Sequence, residues 1–264
     1  MSAAMPEARW RDYPWRLIRG EPLAPPMNLA LDEVLTRRVG ADERPPTLRF
    51  WDWAAPAVVL GRFQSVENEV DEETADGYGV EVVRRMTGGG AMFGEPENII
   101  TYSIYAPPKL VAGMSSVDSY VFFDVWVVEA LRSLGVGAWY EPINDITSSD
   151  GKIGGAAQAR RTGAVLHHVM MSYEMDVPKM LRVLRTGQEK LTDKAIQSAE
   201  KRVGPLRRQT QLPREEIIRR MISTFEHNAG TSLLENRIAP EELAEAEELV
   251  RTKYGTREWT YLVP

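Results

Sequence analysis

Between Val82 and Ser103 the chain reads VVRRMTGGGAMFGEPENIITYS, and the middle of that run has the residue types to grip an anion. Arg84 and Arg85 carry planar donor forks that match phosphate or carboxylate. Gly88, Gly89 and Gly90 remove every Cβ from the turn, so backbone N–H groups can approach a negative charge closely. A second segment, NDITSSDGKIGGAAQARRTGAVLHHVMM from Asn144 to Met171, adds a complementary set. Lys152 supplies a compact, mobile charge just before Gly154-Gly155, and Asn144-Asp145 is suited to holding a metal-bound phosphate. Arginines on one glycine loop and a lysine beside another are what a nucleotide-anhydride site requires. Taken singly, each piece also has a plainer reading. The first is a tight glycine hairpin with solvated arginines, the second a surface lysine, the third an Asx turn.

Taken together, the two segments resemble the lipoate-protein ligase family of the biotin and lipoate ligase superfamily. The family's ordered motifs fall on Arg84, Arg85, Thr87, Gly88 to Ala91, Asn98, Asn144, Asp145, Lys152 to Gly155 and His168. The segment Leu29 to Leu35 looks like its first helix, Leu48 to Gln64 like the strand pair beside its acyl pocket, and Lys253 to Thr260 like the end of its large domain. One local departure is Gly94-Glu95-Pro96, where the family often carries His-Asp.

The resemblance implies ATP-dependent activation of lipoate to lipoyl-AMP, with Mg²⁺, then transfer to a lysine of an acceptor lipoyl domain. Such acceptors belong to a 2-oxoacid dehydrogenase E2 or a glycine cleavage H protein. A free carboxylate is a poor electrophile, so some activated acyl group is needed before an amine can attack. By the same resemblance Arg85, Gly88, Gly89, Gly90, Ala91, Met92 and Phe93 contact the nucleotide. Lys152 is the catalytic residue, bridging the acyl carbonyl and the α-phosphate where charge develops. Asn98, Asn144 and Asp145 support phosphate, metal or adenine, and His168 occupies the family's histidine position. No metal ligand is assigned. Long members carry a C-terminal accessory domain after the segment that looks like Lys253 to Thr260, and this chain stops at Pro264. The resemblance therefore also implies a separate small accessory polypeptide.

Two further features bear on acyl chemistry. An acyl tunnel wants aromatic and aliphatic walls, for which Phe50, Trp51, Trp53 and Phe63 are candidates, although strand alternation forbids Phe50 and Trp51 from sharing a face. An acceptor lysine with a reference pKa of about 10.4 is only roughly 0.04% neutral at pH 7, so His168 is a candidate base. Its alternative is a hydrogen-bonded structural histidine. Other activities stay open: an octanoyl or lipoyl acyltransferase working from a carrier protein without ATP, and a non-catalytic acyl- or nucleotide-binding module. Biotin ligation is a weaker option. Known acyltransferases of this kind use a cysteine acyl-thioester, and this chain has no cysteine, which weighs against the first.

The elements that must hold these residues read as an α+β chain with a mixed sheet flanked by helices. At 264 residues and 43% hydrophobic it can bury a large core. We expect one catalytic domain over 1–264, helix-rich from about 177. No run of about 18 apolar residues suggests a membrane span, and the start does not read as a secretory signal. A formal net charge of −6 disfavours general nucleic-acid binding, and cytoplasmic location is the default. Strands are expected at 15–19, 48–53, 57–60, 80–84, 99–105 and 164–173, with 48–60 forming a hairpin. Short strands are expected near 138–140, 146–147 and 152–153. Helices are expected at 28–38, 71–76, 116–134, 178–184, 192–199, 214–227 and 240–252. Within 116–134 the apolar stripe falls on Val121, Val125, Val128 and Leu131. KRVGPLRR, Lys201 to Arg208, reads as a basic loop that either meets an acidic acceptor or is merely solvated.

Overall fold

The computed structural model describes residues 6–185 and 202–264; the helix expected at 192–199 lies outside them. Among the described residues eleven strands form two sheets. They are β1 Arg16–Ile18, β2 Thr47–Trp51, β3 Ala57–Leu60, β4 Glu81–Arg84, β5 Met92–Gly94, β6 Ile99–Ala106, β7 Trp139–Glu141, β8 Asp145–Ser148, β9 Gly151–Arg161, β10 Ala164–Ser172 and β11 Leu234–Asn236. The large sheet runs β11-β1-β2-β6-β10-β9-β8-β7, and the small one runs β4-β3-β5. The expected α+β class is therefore observed, with helices on both faces of a mixed sheet.

The central strand β6, IITYSIYA, is buried at every position. A strand covered on both faces has no solvent side, which is why it reads as a β-branched and aromatic run with no charged residue. On one face lies the Ser116–Ser133 helix, opened by Ser115, whose Oγ accepts from the Asp118 N–H at 3.1 Å. Its buried side carries Phe122, Phe123, Trp126 and Leu131, while Val121 and Val125 are exposed. Half of the expected stripe is thus borne out, since Val128 and Leu131 are buried, while the larger rings take the core in place of Val121 and Val125. Phe122 stacks on Trp10 at 4.7 Å, and Trp10 and Trp126 each meet Phe225 edge-on at 5.1 Å. Phe225 belongs to the Arg214–Ala229 helix, which ends on Gly230 in the left-handed region at φ 65°.

The other face packs against the Pro25–Gly40 helix and the small sheet. Here a second expectation changes. β2 and β3 do not form a hairpin: β2 pairs with β1 and β6, whereas β3 pairs parallel with β4 and antiparallel with β5. The chain crosses between sheets at Trp53 to Pro56, and the space between the two sheets becomes the candidate site. The glycine loop joins β4 to β5 within the small sheet rather than lying on the large one. Lys152 and Ile153 belong to an eleven-residue strand, not a short one. At the C-terminus the Pro240–Leu249 helix is fastened to β1 by a buried bidentate pair between Arg16 and Glu242, at 2.7 and 2.9 Å.

Candidate active site

Strand register assembles the site in two rows. Trp51, Thr101, Met170, Gly155 and Asp145 stand opposite one another across β2, β6, β10, β9 and β8. Two residues along, Arg49, Ser103, His168 and Ala157 form the next row. A period of two puts both rows on one face, toward the small sheet. Between the sheets is a cavity whose apolar wall includes Leu29, Trp51, Trp53, Val59, Met92 and Met170. The indoles are fixed by polar neighbours: Trp51 Nε1 donates to Ser103 Oγ and Trp53 Nε1 to Thr101 Oγ1, both at 3.0 Å. Phe50, on the opposite face, is plain core against Tyr102, and Phe63 is 73% exposed.

Lys152 stands at the mouth of this cavity. Its Nζ is 2.8 Å from Asp145 Oδ1, with the lysine side chain 43% exposed. A Cβ on Gly155 would sit 3.1 Å from that Nζ, so the glycine leaves the ammonium room to lie across the strand. Asn144 clasps β9: its Nδ2 donates to Ala156 O at 2.6 Å, and Ala156 N–H donates back to Asn144 O at 2.8 Å. Asn144, Lys152 and Gly155 therefore share the cavity lining with Gly89, Gly90, Ala91, Met92, Arg85 and His168, and Asp145 joins them through Lys152.

The glycine loop is held from within. Arg85, 5% exposed, donates from Nε to Thr87 Oγ1 (2.9 Å), from Nη1 to Val59 O (3.0 Å), and from Nη2 to Gly88 O (2.7 Å) and Gly90 O (2.9 Å). Burial pushes its pKa down to about 10. Its fork is turned onto its own loop, not held out to a phosphate, which fits a nucleotide poorly. Of the three glycines only Gly89 has positive φ, at 96°. Arg84 differs from the expected anion fork altogether. It is fully buried and donates to the carbonyls of Gly61, Gln64, Thr260 and Val263, sealing the small sheet against the C-terminal segment.

Behind the loop runs a buried relay that sequence reasoning missed. His168 Nε2 is 2.7 Å from Thr87 Oγ1, and His168 Nδ1 is 2.7 Å from Asp32 Oδ2. Asp32 also accepts from Ser103 Oγ (2.9 Å) and Tyr105 OH (2.6 Å), with Arg49 at 3.7 Å. Burial alone would raise the Asp32 pKa, but the bond from His168 and the Arg49 charge outweigh it and hold it low. Burial lowers that of His168 despite Asp32, so the imidazole is neutral, with Nδ1–H donating to Asp32 and Nε2 accepting from Thr87. His168 positions the loop, and its acceptor lone pair is already used. The signal for Asp32 was an acid beside Leu31 and Leu35 on the buried side of a helix. His167 faces the other way, with its Nε2 2.7 Å from Asp124 Oδ1.

Besides Asp145, three expected site residues lie outside the cavity wall, one of them Gly88, whose carbonyl is held by Arg85. Phe93 alternates away from Met92 and is buried with Val58, Leu60 and Val66, outside the cavity wall. The Asn98 carbonyl accepts from Tyr173 and Glu174 N–H at 2.9 Å, tying the start of β6 to the end of β10 rather than lining the cavity.

The relay carries a pH dependence. A folded pKa lowered below the unfolded value means that the unfolded chain takes up more protons as pH falls, so stability drops with acid. For His168 that loss begins near its unfolded value of about 6.5; for Asp32 it comes only as pH falls below the usual carboxylate range. The melting temperature should therefore decline from pH 7 to pH 5, and His168→Gln should flatten that slope. Parallel melting curves for the two proteins would exclude a neutral, buried His168.

The profile of the lipoyl protein ligase A/B catalytic domain matches residues 24–226, and the chain belongs to that family of enzymes attaching lipoate or octanoate to proteins. It is similar to a bipartite lipoate protein ligase from the lipoylation system of Thermoplasma acidophilum, described along with its E2 lipoyl domain. The identity is 30%, the TM-score 0.81, and 92% of this chain and 94% of that one are covered. A lipoate-protein ligase A bound with ATP has 28% identity and TM-score 0.80 over 93% of this chain and 97% of that one. Among curated relatives, an octanoyltransferase LipM of Brevibacillus brevis is 28% identical over 93% of this chain and 98% of its own length. Further relatives of the same name, at 25–29% identity, cover 93–94% of the chain.

These names overturn the expectation of ATP-dependent lipoate ligation and favour the carrier-protein alternative. These relatives outweigh the absence of cysteine, which by itself counts against that alternative. The expected adenylation with ATP and Mg²⁺ loses its support along with lipoate ligation. Among the described residues no helix is long and apolar enough to cross a membrane.

Proposed function

We propose that this chain transfers an octanoyl-type acyl group from a carrier-bound thioester to a lysine of a lipoyl acceptor domain, without ATP. The observation that carries the acyl-transfer part of this reading is Lys152, held by Asp145 at the mouth of an apolar cavity. The relatives named octanoyltransferase point the same way. A thioester is already an activated acyl group, so no adenylate is needed to drive amide formation. The alkyl chain lies against Leu29, Trp51, Trp53 and Met170, which leaves the carbonyl near Lys152. When the acceptor amine attacks, the N–C bond forms and the tetrahedral oxygen becomes negative beside the Lys152 ammonium. Collapse breaks the C–S bond, and the proton from the amine ends on the departing thiol.

The chain has no cysteine, so it has no thiol on which to store the acyl group. Thr87 does not substitute for one, being 1% exposed and bonded to both Arg85 and His168. Donor and acceptor must then be bound together. Initial-velocity plots against both substrates should intersect, and mass spectrometry should find no acyl-enzyme after incubation with donor alone. Parallel plots with an acylated enzyme would contradict direct transfer. The deciding assay supplies octanoyl-carrier protein and an apo lipoyl domain with no nucleotide. If no octanoyl reaches the domain, while free acid with ATP does so readily, the reading fails.

A further inference from the structure

Direct transfer leaves a question of docking, because a folded domain has to bring its lysine to the Asp145–Lys152 pair. Among the described residues the large sheet has two open edges, β11 and β7. β11 lies five strand spacings from β9, on the order of 24 Å from Lys152. β7 lies two spacings away, about 10 Å, and its Glu141 stands directly opposite Asp145. Only β7 is within reach of a lysine carried on a partner's turn.

The β7 edge also has the surface of a contact. Trp139 is 39% exposed, and Ile143, in the turn between β7 and β8, is 63% exposed. Two large apolar groups within five residues, on an edge strand with no outer neighbour among the described residues, make an unusual surface for a lone chain. Its residues are also tied to one another. Trp139 Nε1 donates to Glu141 Oε2 at 2.8 Å, and Tyr140 OH donates to Ile143 O. Register places Trp139 and Glu141 on the cavity side, so an exposed carboxylate stands beside the mouth where the incoming ammonium must pass. That charge suits a lysine-bearing partner.

We propose that the acceptor domain docks by adding a strand to the outer edge of β7, covering Trp139 and Ile143 while its lysine turns in past Glu141 to Lys152. The proposal rests on the transfer reading only for the identity of the partner. Strand addition supplies main-chain hydrogen bonds for affinity, and the two apolar side chains supply the buried anchors.

Hydrogen exchange of the full chain, with and without saturating apo lipoyl domain and with no acyl donor present, tests docking independently of turnover. The amides of Trp139 to Glu141 should exchange more slowly with the domain bound. Protection confined to other segments, or no saturable binding, overturns the proposal. In the transfer assay the double variant Trp139→Ser, Ile143→Ser should raise KM for the domain about tenfold or more, with kcat little changed. Transfer to a short lysine peptide should stay within about twofold of wild type. Equal loss with domain and peptide would mean that the substitutions damage the mouth, and would also overturn docking. A failed transfer reading looks different, because no thioester-dependent acylation of either acceptor occurs in the wild type.

Discussion

Lys152→Ala should lower the rate of acyl transfer by about 100-fold or more while leaving the fold intact. The lysine side chain is 43% exposed and touches Asp145, so its removal empties no core. On the proposed transfer, what is lost is a positive charge beside the carbonyl oxygen as it becomes an anion. Circular dichroism and the melting temperature should match wild type, and the loss should fall on kcat more than on KM, since the charge matters most in the transition state. Lys152→Arg should not restore the rate, because a planar fork cannot reproduce a compact ammonium lying over Gly155. Transfer within a few-fold of wild type in the alanine variant would reduce Lys152 to a surface residue.

Asp32→Ala should have the largest effect on stability. The carboxylate is 1% exposed and accepts from His168, Ser103 and Tyr105 while balancing Arg49, itself 1% exposed. Truncating one partner of a buried charged pair leaves the other uncompensated, at a cost of about 3–5 kcal/mol. In a chain of this size that corresponds to a melting temperature lower by on the order of 10 °C. Asp32→Asn should cost less, because the amide oxygen still accepts from His168 while the charge is lost. The alanine variant should also lose transfer activity at temperatures where it is folded, since His168 and Thr87 then no longer fix the glycine loop. A melting temperature near wild type would mean that Arg49 and His168 find other partners.

Much of this protein was legible in the sequence. The β-branched and aromatic run of β6 and the glycines after Arg85 are local signals, so they told of a buried strand and a tight loop. The glycine pair expected to make a turn beside Lys152 lies instead within β9. Together these motifs also pointed to the family. The choice between a nucleotide-activated acid and a carrier thioester was not local. Both routes end at an acyl carbonyl beside a lysine, and the motifs around Lys152 serve either one.

Tertiary packing decided the rest, and for one physical reason. Alternation says that neighbouring strand residues face opposite ways, but which face is covered by what depends on elements far away in the chain. Of Phe50 and Trp51, the one meeting the small sheet lines the cavity and the one meeting the Ser116–Ser133 helix is core. Of His167 and His168, one meets Asp124 and the other Asp32. Of Arg84 and Arg85, one is consumed by the C-terminal carbonyls and the other by the glycine loop. The sequence by itself determined the inventory of groups that do chemistry. Only the crossing of the chain from the large sheet to the small one, and the burial that follows from it, decided which of them reach the substrate and which hold it in place.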